Sequence, residues 1–164
     1  MIVMSSASTT EEAGLKMKNW IPPKSPYNLI QEQLWEDPWK IFVVCIFCNL
    51  TKRVQAEPYF WKVIDRWPTP TEMSIAKSEE IEDIIQPLGL SRRRSKALVQ
   101  MSKDYMQKDW KDQPDVLYGI GKYASDAYRI FCLGDWQNVS PKDGALVNYH
   151  NFLKKTYPKN RENL

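Results

Sequence analysis

From Trp20 onward, apolar residues recur along this chain at spacings of three and four, and strict alternation is essentially missing. That pattern predicts helices almost throughout. The run WKIFVVCIFCNL is apolar on every face and predicts a central buried helix, opened by Asp37-Pro38. Ser25-Pro26 predicts a helix start of the same kind, and Glu57-Pro58 opens EPYFWKVIDRW. Ser78, followed by Glu79 and Glu80, starts a segment with Ile81, Ile84, Ile85 and Leu88 on one face. After a turn at Gly89, Ser91 is expected to cap a longer helix whose inner stripe is Ala97, Leu98, Met101 and Tyr105. A short segment from Pro114 to Tyr118 leads into Gly119-Ile120-Gly121, and the helix after it carries Tyr123, Ala127, Ile130 and Phe131. A last helix follows Asp143, with Leu146, Tyr149 and Leu153 inward. The expected fold class is all-α, a compact orthogonal arrangement of short, proline-broken helices.

The length of 164 residues suits one domain. Residues 1–17 are small, polar and aperiodic and read as a tail, which leaves a domain over 18–157 and a C-terminal tail over 158–164. A net charge of +3 is compatible with a nucleic-acid partner and equally with a mildly basic soluble domain. The longest apolar run, Ile41 to Cys48, is too short to span a bilayer, and the N-terminus lacks the pattern of a secretory signal. A soluble, intracellular protein is expected, with no membrane partner. Cys45 and Cys48 form a C-x-x-C, but no second ligand pair lies near them. They read as core thiols, and no metal site is expected.

The chemistry concentrates in VLYGIGKYASDAYRIFCLGDWQNVSPKDGALVNYH. Gly119 and Gly121 make a tight hairpin between a short helix and a longer one. Its backbone N–H groups, the following helix N-terminus and Lys122 form a site for a phosphate oxygen. A G-x-G turn alone is weak evidence, since many helix–helix turns use glycine for left-handed geometry. Asp143, about twenty residues later, makes the pattern more specific.

LYGIGKYASDAYRIF with Asp143 resembles the helix-hairpin-helix DNA glycosylase superfamily. Within that superfamily, WIPPKSPYNLIQEQLWEDPWK, QPLGL and DGALVNYH are similar to the glycosylase domain of methyl-CpG-binding domain proteins, the mismatch-specific thymine/uracil glycosylases. The likeness runs from about Trp20 to Phe152. It implies a nuclear base-excision enzyme that flips a mispaired thymine or uracil out of duplex DNA, acting as a monomer. It implies no cofactor, although the hairpin carbonyls of such domains often hold a monovalent cation. With no four-cysteine spacing after the last helix, the iron–sulfur cluster of some relatives is not expected.

The resemblance also assigns roles. Cleavage develops positive charge on the sugar, and a fixed carboxylate stabilises it and orients water. Asp143, at a helix start whose free N–H groups receive a carboxylate well, suits that task. Gln31 matches the base-reading glutamine, with Leu29, Ile30 and Tyr123 lining the same pocket. Where bifunctional relatives carry a Schiff-base lysine, this chain has Tyr123, which implies a monofunctional hydrolase. The wedge that fills the gap left by the extruded base, usually an arginine, is here Leu50, and Leu90 is the second probe. Arg92, Arg93 and Arg94, in the first turn of a helix, suit phosphate contacts, and Lys52 extends the patch. A non-catalytic helix-hairpin-helix module, a bifunctional lyase and a helical protein-interaction domain stand as alternatives.

Overall fold

The computed structural model describes residues 16–159. The tails expected at 1–17 and 158–164 lie for the most part outside them. The described residues form helices α1 (Gln31–Leu34), α2 (Pro38–Cys48), α3 (Arg53–Arg66), α4 (Pro70–Ser74), α5 (Ser78–Ile85), α6 (Ser91–Gln107), α7 (Lys122–Ala127) and α8 (Gly144–Thr156), with short 3-10 turns between. No strand occurs among the described residues. Helix α7 widens into a π turn over Tyr128–Leu133 and stops at Gly134, whose φ of 72° ends it. A Cβ at Gly134 would lie 2.6 Å from the Trp20 ring, so glycine is demanded there twice.

Helix α2 is the axis of the fold. Asp37 accepts the Lys40 N–H and Pro38 opens the first turn, as the sequence predicts. Seven consecutive residues, Ile41–Phe47, are buried, with α3, α6 and α7 packed around them. Phe42 meets the rings of Tyr105, Trp110 and Tyr128, three elements converging on one side chain. Trp39, fully buried, donates to Ser102 Oγ at 3.0 Å and so fixes α2 against α6.

Three expected helix starts move. Ser25-Pro26 opens a turn rather than a helix. Glu32 explains this: its carboxylate accepts the N–H groups of Ser25 and Leu29 and the Ser25 hydroxyl, satisfying the backbone without a helix. The helix begins only at Gln31. Helix α3 starts at Arg53, ahead of Glu57-Pro58, and Pro58 lies inside it. The bond that proline cannot make belongs to the carbonyl of Val54, in the exposed first turn of the helix. Leu90, not Ser91, is the N-cap of α6. Helix α4, capped by Thr69, has no counterpart in the sequence reading.

Candidate active site

Four separate stretches of chain surround one open cavity of about 540 Å³. Helix α1 contributes Gln31, preceded by Leu29 and Ile30. The end of α2 contributes Cys48 and the loop through Leu50 to Lys52. Helix α7 contributes Tyr123, and the start of α8 contributes Asp143.

Asp143 is half-buried at the N-cap of α8, where Oδ2 accepts the Leu146 N–H at 3.2 Å. Its other oxygen accepts no bond from the described residues, and the residue lines the cavity. Gln31 is buried, and its Nε2 donates to the Tyr123 hydroxyl at 3.0 Å across 92 residues of sequence. Burial, reinforced by the nearby Cys45, Cys48 and Asp143, pushes the Tyr123 phenol far above its ordinary range. It stays neutral and keeps a proton to donate.

The two cysteines of the C-x-x-C differ. Cys45 is buried, as expected of a core thiol, and burial raises its pKa strongly. Cys48 departs from the expectation: it is half-buried and lines the cavity, because α2 ends there and its last turn emerges from the core. Burial pushes its pKa up to about 11, so both thiols stay protonated at neutral pH. Among the described residues, no group of three or more histidine, cysteine, aspartate or glutamate side chains gathers to hold a metal.

Leu50 and Leu90 are not core residues. Leu50 is 83% exposed and Leu90 50%, and both hold left-handed backbone, with φ of 62° and 51°. Each conformation costs a leucine about 1–2 kcal/mol. Two exposed, strained leucines on neighbouring loops form the rims of a second groove, which Arg93 and Tyr118 also line.

The hairpin follows the 3-10 turn Pro114–Val116. Asp104 of α6 holds its entry by accepting the Tyr118 N–H at 2.9 Å. Burial works against the charge of Asp104, but the bonds from Tyr118, Gln100 and Lys108 outweigh it and keep its carboxyl below the usual range. Gly119 has φ of 78° and its Cβ position lies 3.2 Å from Ala97, so the fold itself requires this glycine. Gly121 is different: its φ is ordinary and a Cβ there would meet nothing within 4 Å. Gly121 caps α7 without any side-chain bond, leaving the first N–H groups of that helix open. Lys122 is exposed, with its ammonium 2.7 Å from Asp126.

Of the basic residues expected to face an anion, Arg92, Arg93 and Lys52 are exposed. Arg94 is not: it is only 3% exposed and donates to three groups of the protein, so it is no surface phosphate ligand. The loop carbonyls around it need donors, and its guanidinium supplies them. Arg53, on the cavity wall, donates to the Asn28 carbonyl and pairs with Glu57 at 2.8 Å, bracing the rim ahead of Leu29. No helix among the described residues is long and apolar enough to cross a membrane.

Residues 43–162 match the family profile described as HhH-GPD superfamily base excision DNA repair protein. The chain is 37% identical over 94% of its length to the Methyl-CpG-binding domain protein 4-like protein of Arabidopsis thaliana, covering 35% of that protein. It is 30% identical over 58% of its length to the Thymine-DNA glycosylase of Aeropyrum pernix, covering 46% of that protein. Against the Thymine/uracil-DNA glycosylase of Pyrobaculum aerophilum the identity is 29% over 60% of the chain, covering 45% of that protein. The chain therefore spans less than half the length of each of these relatives. With its hairpin, its helical fold and this match, the chain belongs to the HhH-GPD superfamily of base excision DNA repair proteins.

Proposed function

We propose that the chain is a monofunctional DNA glycosylase that extrudes mispaired thymine or uracil from duplex DNA and hydrolyses its N-glycosidic bond. The observation that carries this reading is the convergence of Asp143, Gln31 and Tyr123 on one cavity from three distant parts of the sequence. A DNA-binding module without catalysis needs no such cavity. The names of the thymine and uracil glycosylases it resembles support the choice of base.

In this reading the extruded pyrimidine enters between Leu29, Ile30 and Cys48. Gln31 offers an amide donor and acceptor, matching the carbonyl–imide edge of thymine or uracil. The C1′–N1 bond breaks with its electron pair leaving on the base, and positive charge develops on the sugar. The Asp143 carboxylate stabilises that charge and orients water, which adds to C1′ and loses a proton that passes through solvent to the departing base anion. No cofactor is required. Tyr123 is a neutral phenol and supplies no amine, so no Schiff base forms and the backbone stays intact. Borohydride treatment during turnover tests this: no covalent enzyme–DNA adduct is expected, and strands break only after alkali. An efficiently trapped adduct would replace this mechanism with that of a lyase.

The open N–H groups at Gly121 and Lys122 suit a DNA phosphate, and the missing side chain at Gly121 gives the phosphate room to approach. Gly121→Ala is expected to cost the fold no more than about 1 kcal/mol, since the added methyl meets nothing within 4 Å. Duplex binding is expected to fall about 10-fold, the equivalent of one good charge-assisted bond. Melting and fluorescence-anisotropy titrations check the pair. A variant that binds as tightly as the parent would remove the phosphate from this hairpin.

Leu50 is assigned the gap left by the extruded nucleotide. Leu50→Gly releases about 1–2 kcal/mol of left-handed strain and adds about 0.5–1 kcal/mol of chain entropy to the unfolded state. The fold should therefore be no less stable. Single-turnover excision from a paired target should nevertheless fall about 10-fold, because nothing then holds the bases apart. Unchanged excision would retire the wedge.

A further inference from the structure

Arg94 is the one buried arginine among the described residues, and no carboxylate pairs with it there. Its Nη1 donates to the Gly89 carbonyl at 2.8 Å, and its Nη2 donates to the Asn49 carbonyl at 3.0 Å and to the Thr51 hydroxyl. Asn49 and Thr51 flank Leu50, and Gly89 immediately precedes Leu90. A single rigid guanidinium thus bonds both sides of one exposed leucine and the approach to the other. The loops it joins lie about forty residues apart in sequence. Both leucines hold left-handed backbone that their own side chains disfavour, so something outside each loop must keep it in place. The planar fork of arginine does this in a way a lysine ammonium, a single point of charge, does not.

We propose that Arg94 is a positioning residue that fixes Leu50 and Leu90 as one two-pronged element of set span, so that nucleotide extrusion depends on the clamp although Arg94 itself touches no DNA. The inference rests on the glycosylase reading above. Neither prong needs Arg94 for its own exposure; what the clamp adds is their relative placement. A prong displaced by about an ångström opens the stack at the wrong step, and misplacement on that scale costs on the order of 100-fold in rate. A target that is already unstacked makes no such demand.

The test compares single-turnover release of uracil from two substrates, a fully stacked duplex with one G·U pair and a duplex carrying the same uracil in a three-base unpaired bubble. Arg94→Gln is expected to lose about 10- to 100-fold on the stacked duplex and less than about 3-fold on the bubble. A variant that is merely destabilised, or has lost pocket geometry, loses equally on both. The Asp143→Asn background, with 2-aminopurine beside the target, should show the matching loss of extrusion signal on Arg94→Gln. Arg94→Lys should fall between the parent and Arg94→Gln. Should Arg94→Gln fail to fold, Thr51→Val removes one of the three acceptors while keeping side-chain shape, and should lower the stacked-to-bubble ratio of rates about 3-fold or more. If the parent releases uracil from neither substrate, the glycosylase reading itself falls. If the parent is active but the stacked-to-bubble ratio is unchanged in the folded variants, the clamp is overturned.

Discussion

Asp143→Asn is expected to lower single-turnover base release by about 10²–10⁴-fold, the range spanned by removing a catalytic carboxylate or a charge-stabilising group. The same variant should keep its melting temperature. Asp143 caps α8 by accepting the Leu146 N–H, and an asparagine carbonyl accepts that bond equally well. Nor does the cavity change shape, since the two side chains are isosteric. What disappears is the negative charge beside the developing sugar cation, which a neutral amide does not replace. The substitution separates the two roles one residue holds, a cap that survives and a charge that does not. A well-folded Asp143→Asn protein excising at near-parental rate would leave the aspartate a cap only, and the catalytic group would have to be sought elsewhere.

Gln31→Leu carries the next largest effect, a loss of about 10²-fold or more in kcat/KM on thymine and uracil alike. A site built to hydrogen-bond a polar edge loses heavily when its partner becomes apolar, because the base must shed water and receives nothing in return. The fold should tolerate leucine within about 1 kcal/mol, because the position is already buried and leucine is of similar size. Two bonds are lost within the protein, those from Gln31 to the Tyr123 hydroxyl and, more weakly, to Cys45 Sγ, and the phenol keeps the open cavity as an outlet for its own proton. Steady-state kinetics on G·T and G·U duplexes, beside a thermal melt, read both numbers. Equal kcat/KM for parent and variant would move base recognition away from Gln31.

The helices that frame the site were legible where local chemistry and apolar period agreed. Asp37-Pro38 and Asp143 each cap a helix whose inward face repeats at helical spacing, and both starts stand where the sequence places them. Ser25-Pro26 carries the same local signal without its outcome. The deciding partner there is the Glu32 carboxylate, a side chain that reads as an ordinary surface acid until the turn exists. Pro58 misleads in the opposite direction: proline breaks a helix only where the lost bond is missed, and here it faces solvent. The convergence of Gln31 and Tyr123 on Asp143 could be expected only through family resemblance, since no local pattern ties residues so far apart. Two features stayed hidden. Three consecutive arginines look alike in sequence, yet the helix phase turns only Arg94 inward, to carbonyls of loops that sequence does not bring together. Cys48 looks like Cys45 three positions earlier, and only the end of α2 decides that one thiol packs in the core while the other lines the cavity.

The proposed chemistry turns on which bond the protein breaks. The most direct measurement incubates the protein with duplexes that differ in a single pair, G·T, G·U, G·C or A·T, and identifies the free base released by mass spectrometry under single-turnover conditions. Free thymine from G·T and free uracil from G·U are expected, with G·C and A·T left intact. Release of no base from any of these duplexes, or equal release of thymine from A·T and G·T, would contradict it.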